Sequence, residues 1–286
     1  MTDPIVRIGT RGSPLALWQA NEVRRQLIEE HPNLAAENAV HIEVIRTSGD
    51  RLQQGALHDF GGKGLFTKEI EEAMLDRTID IAVHSMKDVP TWFPDGLTID
   101  CLLPRADPRD ALIAPGSDTI ASLPSGITVG TASLRRKAIL LHRRPDLKVV
   151  PLRGNVDTRL EKLSAGEVDA SFLAIAGLSR LGRDNIGAQP IKSEEMLPAV
   201  CQGVIGIERR RDDDRIAELL TPLNDAKTAL SSAAERALLA GLDGSCRTPI
   251  AALAEVDGSD MYLRTAIVRP DGSELIEAER RGTATD

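Results

Sequence analysis

Apolar residues fall into two rhythms through about the first 220 residues. Short aliphatic, β-branched runs predict strands at Ile5–Gly9, His41–Arg46 and Ile79–His84. Apolar positions three and four apart predict helices at Pro14–Glu30 and Thr67–Asp76. Such alternation predicts parallel βαβ units. The Pro- and Asp-rich stretch Leu103–Asp110 interrupts the rhythm and reads as a hinge or linker. A second set follows, with strands at Ile127–Gly130, Lys148–Leu152 and Ala170–Ala174 and helices near Leu134–His142 and Val156–Leu163. The segment Pro198–Glu208, rich in Gly and β-branched residues, is placed to carry the chain back to the first unit, which gives two lobes with a cleft. From about Lys227 the pattern changes to a long amphipathic helix through Leu242, a Gly-Ser-Cys loop, and strands around Ile250–Val256, Met261–Val268 and Glu274–Glu279. The chain stops at Asp286 with no closing helix, so nothing later in the sequence covers one face of that small sheet.

Composition narrows the partners. The chain has 286 residues, 42% of them hydrophobic but only 2% aromatic, so Leu, Ile, Val and Ala must build the core and base-stacking platforms are not expected. A net charge of -8 argues against nonspecific nucleic-acid binding, which needs a basic face. No apolar run reaches the roughly 18 residues that span a bilayer, and the chain opens on a strand-like Ile5–Ile8 rather than a signal peptide, so a cytoplasmic protein with no membrane partner is expected. Cys101, Cys201 and Cys246 are odd in number and widely spread, and neither they nor the five histidines show metal-ligand spacing, so no metal is expected.

The segment Asp80–Pro90 ends a buried strand with Lys87 and Asp88 side by side, the position at which open α/β sheets meet their ligands. Pro90 forbids a further ladder hydrogen bond, so Asp88 stands at the strand's exit. Taken alone, the pair also reads as a surface ion pair or a helix cap. Arginines then recur where a helix dipole disfavours them. Arg135 and Arg136 follow the capping sequence Thr131-Ala132-Ser133, Arg11 precedes Ser13-Pro14, and Arg153 precedes Gly154-Asn155 with Arg159 one turn on. All three sites follow a strand's C-terminal end. Backbone amides and guanidinium forks gathered there suit carboxylates or phosphates, unless each arginine caps a neighbouring acid. Gly61-Gly62-Lys63-Gly64 lacks the phosphate-loop pattern and reads as a lid. Cys101 and Cys201 sit in apolar surroundings expected to bury an inert thiol, whereas Cys246 lies in a turn beside Arg247, which favours thiolate.

Together these residues resemble the porphobilinogen deaminase (hydroxymethylbilane synthase) family of the tetrapyrrole (heme) pathway, along nearly the whole chain. The matching motifs are Thr10–Gln19, Gly61–Phe66, His84–Pro90, Asp107–Ala111, Gly130–Arg136, Leu152–Asn155 with Arg159, Ala176–Gly182 and Leu197–Val200. Cys201 and Ser245 occupy places where the family often has glycine, and Ala132 one where it often has serine. The resemblance implies an enzyme that condenses four porphobilinogen molecules head to tail, each losing ammonia, and releases the linear tetrapyrrole with water. It implies a dipyrromethane cofactor joined to Cys246 by a thioether and contacted by Lys87, Thr131, Ser133, Arg135 and Arg136. Arg11, Ser13, Lys63, Arg153, Arg159 and Arg180 would bind the carboxylates of porphobilinogen and the growing oligopyrrole, Asp88 would be catalytic, and a monomer is the family expectation.

The fold expected is α/β: two periplasmic-binding-protein-like α/β lobes with mixed sheets, plus a small α+β C-terminal domain. Domain 1 would take residues 1–103 with 199–222, domain 2 residues 104–198, and domain 3, apparently shortened, residues 223–286. Two such lobes also describe an anion-binding module without catalysis, a reading that gives no reason for Asp88 and Cys246.

Overall fold

Helix starts follow local chemistry. In the computed structural model, which describes residues 5–51, 67–242, 244 and 248–284, the strand β1 (Val6–Thr10) leads into α1 (Pro14–Glu30). Ser13 Oγ accepts from the Ala16 amide at 3.3 Å, and Pro14 fills the first helical position, where a missing N–H costs nothing. Then come β2 (Val40–Val44), the single turn α2 (Ser48–Arg51), α3 (Lys68–Leu75), β3 (Ile81–Ser85), β4 (Leu97–Leu102) and β5 (Asp110–Ile113). The chain continues through β6 (Thr128–Gly130), α4 (Leu134–Arg143), β7 (Lys148–Val150), α5 (Val156–Ser164), β8 (Ala170–Ala174), α6 (Ile175–Arg180) and the short β9 (Gln189–Pro190). It closes with β10 (Ile205–Arg210), α7 (Asp214–Leu220), α8 (Ala226–Gly241), β11 (Ile250–Asp257), β12 (Asp260–Val268) and β13 (Leu275–Thr283).

The chain forms two compact units. Of the described residues, the first takes those up to 51, 67–105 and 204–229, and the second takes 106–203 and 230–284. In the first unit the sheet order is β2-β1-β3-β10-β4. Ile81 and Val83 join Val23 and Leu27 of α1 in one core, while Ala82 joins Ile70 and Met74 of α3 in another. A strand covered on both faces needs the continuous apolar run that β3 has.

β1 is parallel to β2 and β3, but β10 runs antiparallel to β3 with Ile205 opposite Ser85. The sheet is therefore mixed, as the expected fold has it, with an antiparallel strand added to the parallel βαβ set. The returning chain reaches the sheet at the C-terminal end of β3 and has no crossover helix to reverse it, so it runs back down the strand. The second unit repeats the device in the order β7-β6-β8-β5-β9, where Asp110 of β5 lies opposite Ala174, the last residue of β8. Asp110 is thus the first residue of a buried strand, and the linker reading is corrected there.

The C-terminal sheet β11-β12-β13 is an antiparallel meander. Its residues Ala251, Leu253, Ala266 and Val268 lie in the same core as Leu112, Val129, Leu140 and Phe172 of the second unit. At the β12–β13 turn, Gly272 has φ +78°, and a Cβ there would meet the His142 amide of α4 at 2.6 Å. β13 is exposed along nearly its whole length.

Candidate active site

In the first unit β1 and β3 are parallel neighbours, so Arg11 and the turn Met86–Asp88 follow adjacent strand ends. The turn is pinned: the Met86 amide donates to Val204 O at 3.0 Å and the Val89 amide to Met86 O at 3.2 Å. On one face of the strand, Gln19 Nε2 donates to Ser85 Oγ at 2.8 Å. On the other, His84 Nε2 meets Glu208 Oε2 at 2.9 Å, their side chains 6% and 1% exposed. Asp88 stands exposed on this doubly anchored turn, three residues beyond the strand's last residue, with Lys87 half-buried beside it. Rigid placement of an open carboxylate suits a group that must act on a ligand. Arg11 and Ser13 are half-buried one and three residues after β1.

In the second unit β7, β6 and β8 are parallel neighbours, and their C-terminal ends gather Arg153, the Thr131–Arg136 segment and α6 with Arg180. Ser133 caps α4, its Oγ accepting from the Arg136 amide at 3.4 Å, and Thr131 Oγ1 accepts from the Ser133 amide at 3.2 Å. Asn155 caps α5 through the Thr158 amide. Arg159 Nε donates to Gly154 O at 2.9 Å, and Arg180 Nη2 donates to Gly203 O at 2.7 Å. Arg153 is half-buried and joins no ion pair among the described residues.

Arg135 and Arg136 are buried, and the compensating anion that first-turn arginines require is internal. Arg135 Nη2 donates to Asp110 Oδ2 at 2.7 Å, and Arg136 Nη2 to Oδ1 at 2.7 Å. Arg135 Nη1 also donates to Leu197 O and Arg136 Nη1 to Phe172 O, both at 2.8 Å. Burial alone would raise the Asp110 carboxyl, but the two guanidiniums override it and hold the group well below the usual carboxylate range. One acid between two arginines leaves a net positive charge on the cluster, and Arg135 Nε has no hydrogen-bond partner among the described residues. Hydroxyls at Thr131 and Ser133 beside a net-cationic cluster form a donor set that fits a group bearing carboxylates.

Cys246, Lys63 and the Gly61–Phe66 segment lie outside the described residues. Cys101 and Cys201 are buried thiols outside any disulfide among the described residues, and burial pushes the Cys101 thiol up to about 12. The reading of the sequence missed Asp110, Gln202 and Glu208. Asp110 begins the apolar run Asp110-Ala111-Leu112-Ile113, a strand signal obscured by the prolines before it. Gln202 is 1% exposed and donates to Asp110, and no local pattern marks it.

Two family models match the chain: "Porphobilinogen deaminase, dipyromethane cofactor binding domain" over residues 6–218 and "Porphobilinogen deaminase, C-terminal domain" over residues 229–286. The porphobilinogen deaminase of Paracoccus denitrificans (strain Pd 1222) is 57% identical over 288 residues, spanning 100% of this chain and 91% of its own. The chloroplastic porphobilinogen deaminase of Pisum sativum is 51% identical over 284 residues, spanning 98% of this chain and 77% of its own. Among solved structures the chain is similar to the methionine binding protein MetQ, with TM-score 0.46 and 14% identity, over 84% of this chain and 95% of that one. Matched by both family models and by relatives more than half identical along its length, the chain belongs to the porphobilinogen deaminase family.

Proposed function

We propose that this enzyme condenses four porphobilinogen molecules head to tail, each with loss of ammonia, and releases hydroxymethylbilane by hydrolysis. The cofactor is a dipyrromethane joined to Cys246 by a thioether. One observation carries the reading: an exposed carboxylate on a rigid turn in one unit, and arginines and hydroxyls gathered at three parallel strand ends in the other, within a chain matched along its length by this family.

When attached, the dipyrromethane supplies the pyrrole carbon to which units are added. Thr131, Ser133, Arg135, Arg136 and Lys87 would hold its carboxylates. Every pyrrole carries an acetate and a propionate, so negative charge accumulates with each addition; Arg11, Lys63, Arg153, Arg159 and Arg180 balance it, and Ser13 offers a hydroxyl donor. Loss of ammonia leaves the substrate's methylene-pyrrole electron-poor. The fixed carboxylate of Asp88 faces the pyrrole N–H groups and stabilises that charge as it develops, and it shuttles protons at its oxygens. The family expectation of a monomer acting in the cytoplasm belongs to the same reading.

Intact-protein mass spectrometry and turnover test this together. The parent should carry a two-pyrrole adduct that Cys246→Ser lacks. Asp88→Ala should keep its fold and lose turnover, whereas Asp88→Glu keeps a little because its charge persists at a displaced position. Unmodified parent protein that binds anions reversibly would favour a non-catalytic module, and near-native activity in Asp88→Ala would remove that residue from the mechanism.

A further inference from the structure

The segment 197–203 bonds directly to the buried Arg135 and the half-buried Arg180 of the second unit. Leu197 O accepts from Arg135 at 2.8 Å, and Gly203 O accepts from Arg180 at 2.7 Å. Between them, Gln202 Nε2 uses both its hydrogens: one goes to Pro108 O at 2.7 Å, the other to Asp110 Oδ1 at 2.9 Å. The amide therefore grips a backbone carbonyl and a carboxylate of the same short stretch. Asp110 Oδ1 is also the oxygen that takes Arg136, so a rotation of the carboxylate would move both guanidiniums.

The turn is itself over-determined. Cys201 has φ +56° and Gly203 φ +91°, so two left-handed residues flank Gln202 and aim its side chain inward. The Cys201 amide donates to the buried Glu235 carboxylate at 2.6 Å, and Gly203 O accepts the Ala106 amide at 3.2 Å. A Cβ on Gly203 would approach Ala106 O to 2.5 Å, so the close approach requires glycine there. Cys201, where the family that the chain resembles often has glycine, also holds a left-handed backbone, which glycine adopts without strain.

We infer that Gln202 is a positioning residue for the anion site: it locks Asp110, and through it Arg135 and Arg136, while the turn it sits in holds Arg180. The inference rests on the proposed function, since it assigns what keeps those cations aimed. Arg180, held by the Gln202 turn, meets substrate carboxylates in ground and transition states alike, so its displacement should appear in KM rather than kcat.

Gln202→Met keeps the length and volume and removes both donors. Assayed well below its melting temperature, with kcat expressed per cofactor-bearing molecule counted by intact mass, it should raise KM for porphobilinogen about tenfold with kcat changed less than about twofold. Gln202→Asn withdraws the amide by one methylene and should give an intermediate KM; it serves also if the Met variant does not fold. A lowered melting temperature with KM within about twofold of the parent in both variants would make Gln202 merely structural and overturn the inference. Arg180→Gln separates the two levels. If it raises KM while the Gln202 variants do not, only the positioning inference fails; if it leaves KM unchanged, the anion-site reading fails and takes the inference with it.

Discussion

Asp110→Asn keeps the shape of a side chain with no solvent exposure and removes its charge. Two guanidiniums bonded to it at 2.7 Å would then lie buried without an anion, and an amide N–H₂ would face either Arg135 or Arg136, donor against donor. Breaking a buried ion pair from one side costs about 3–5 kcal/mol, because the stranded charge cannot recover its hydration. That is a large part of the roughly 5–15 kcal/mol that holds a typical protein folded. With a urea dependence of about 3 kcal/mol/M, the unfolding midpoint should fall by about 1–1.7 M at pH 7. The pH dependence follows from the depressed carboxyl: its stabilisation is complete above the unfolded value of 3.8 and is lost as pH falls toward the folded one. The gap between parent and variant should therefore be full at neutral pH and narrow below about pH 4. A midpoint within about 0.3 M of the parent at pH 7 would show that the two arginines do not depend on Asp110. Replacing the triad together by Leu, Met and Leu should recover most of the stability and none of the activity, which separates the structural share of the cluster from its binding share.

Three further outcomes are expected. Glu71 has its carboxyl raised by burial, with nearby Glu208 adding to the effect, so its unfolded form sheds a proton at about 4.5 while the folded form still holds one. Stability should decline as pH rises through that window, and Glu71→Gln should abolish the decline and raise the melting temperature at pH 7 by about 2–4 °C, as thermal melts from pH 4 to 8 would show. Glu208→Leu strands His84 in the core and should cost about 3 kcal/mol in urea unfolding, most of it regained when His84→Leu is added; a double-variant loss equal to the sum of the two single losses would deny the pair any coupling. At Cys201, the branched side chain of Cys201→Val should cost at least about 2 kcal/mol at φ +56°. Cys201→Gly should stay within about 1 kcal/mol of the parent, as relief of strain offsets the lost thiol contacts and the gain in unfolded-state freedom; unfolding midpoints of the two variants decide it.

The sequence alone determined whatever depends on neighbours along the chain. α1 begins at Pro14 and β8 spans Ala170–Ala174 as their periodicity predicts, and α4 and α5 start at their capping residues. The motifs that carry the family resemblance are equally local, each a run of a few residues. β4, β5 and α7 were not read from the sequence, and prolines crowd the approach to β5. The reversal of β10 and β5 was decided by where the chain re-enters each sheet, and the C-terminal sheet's share in the second unit's core by which apolar face met it. The sequence marked Arg135 and Arg136 as cations in need of an anion. Only the tertiary structure supplied Asp110, 25 residues away from Arg135, and Gln202, 92 residues from Asp110. Partners of buried charges are chosen by strand register and turn geometry, which bring distant residues within 3 Å, and no pattern along the chain encodes such distances.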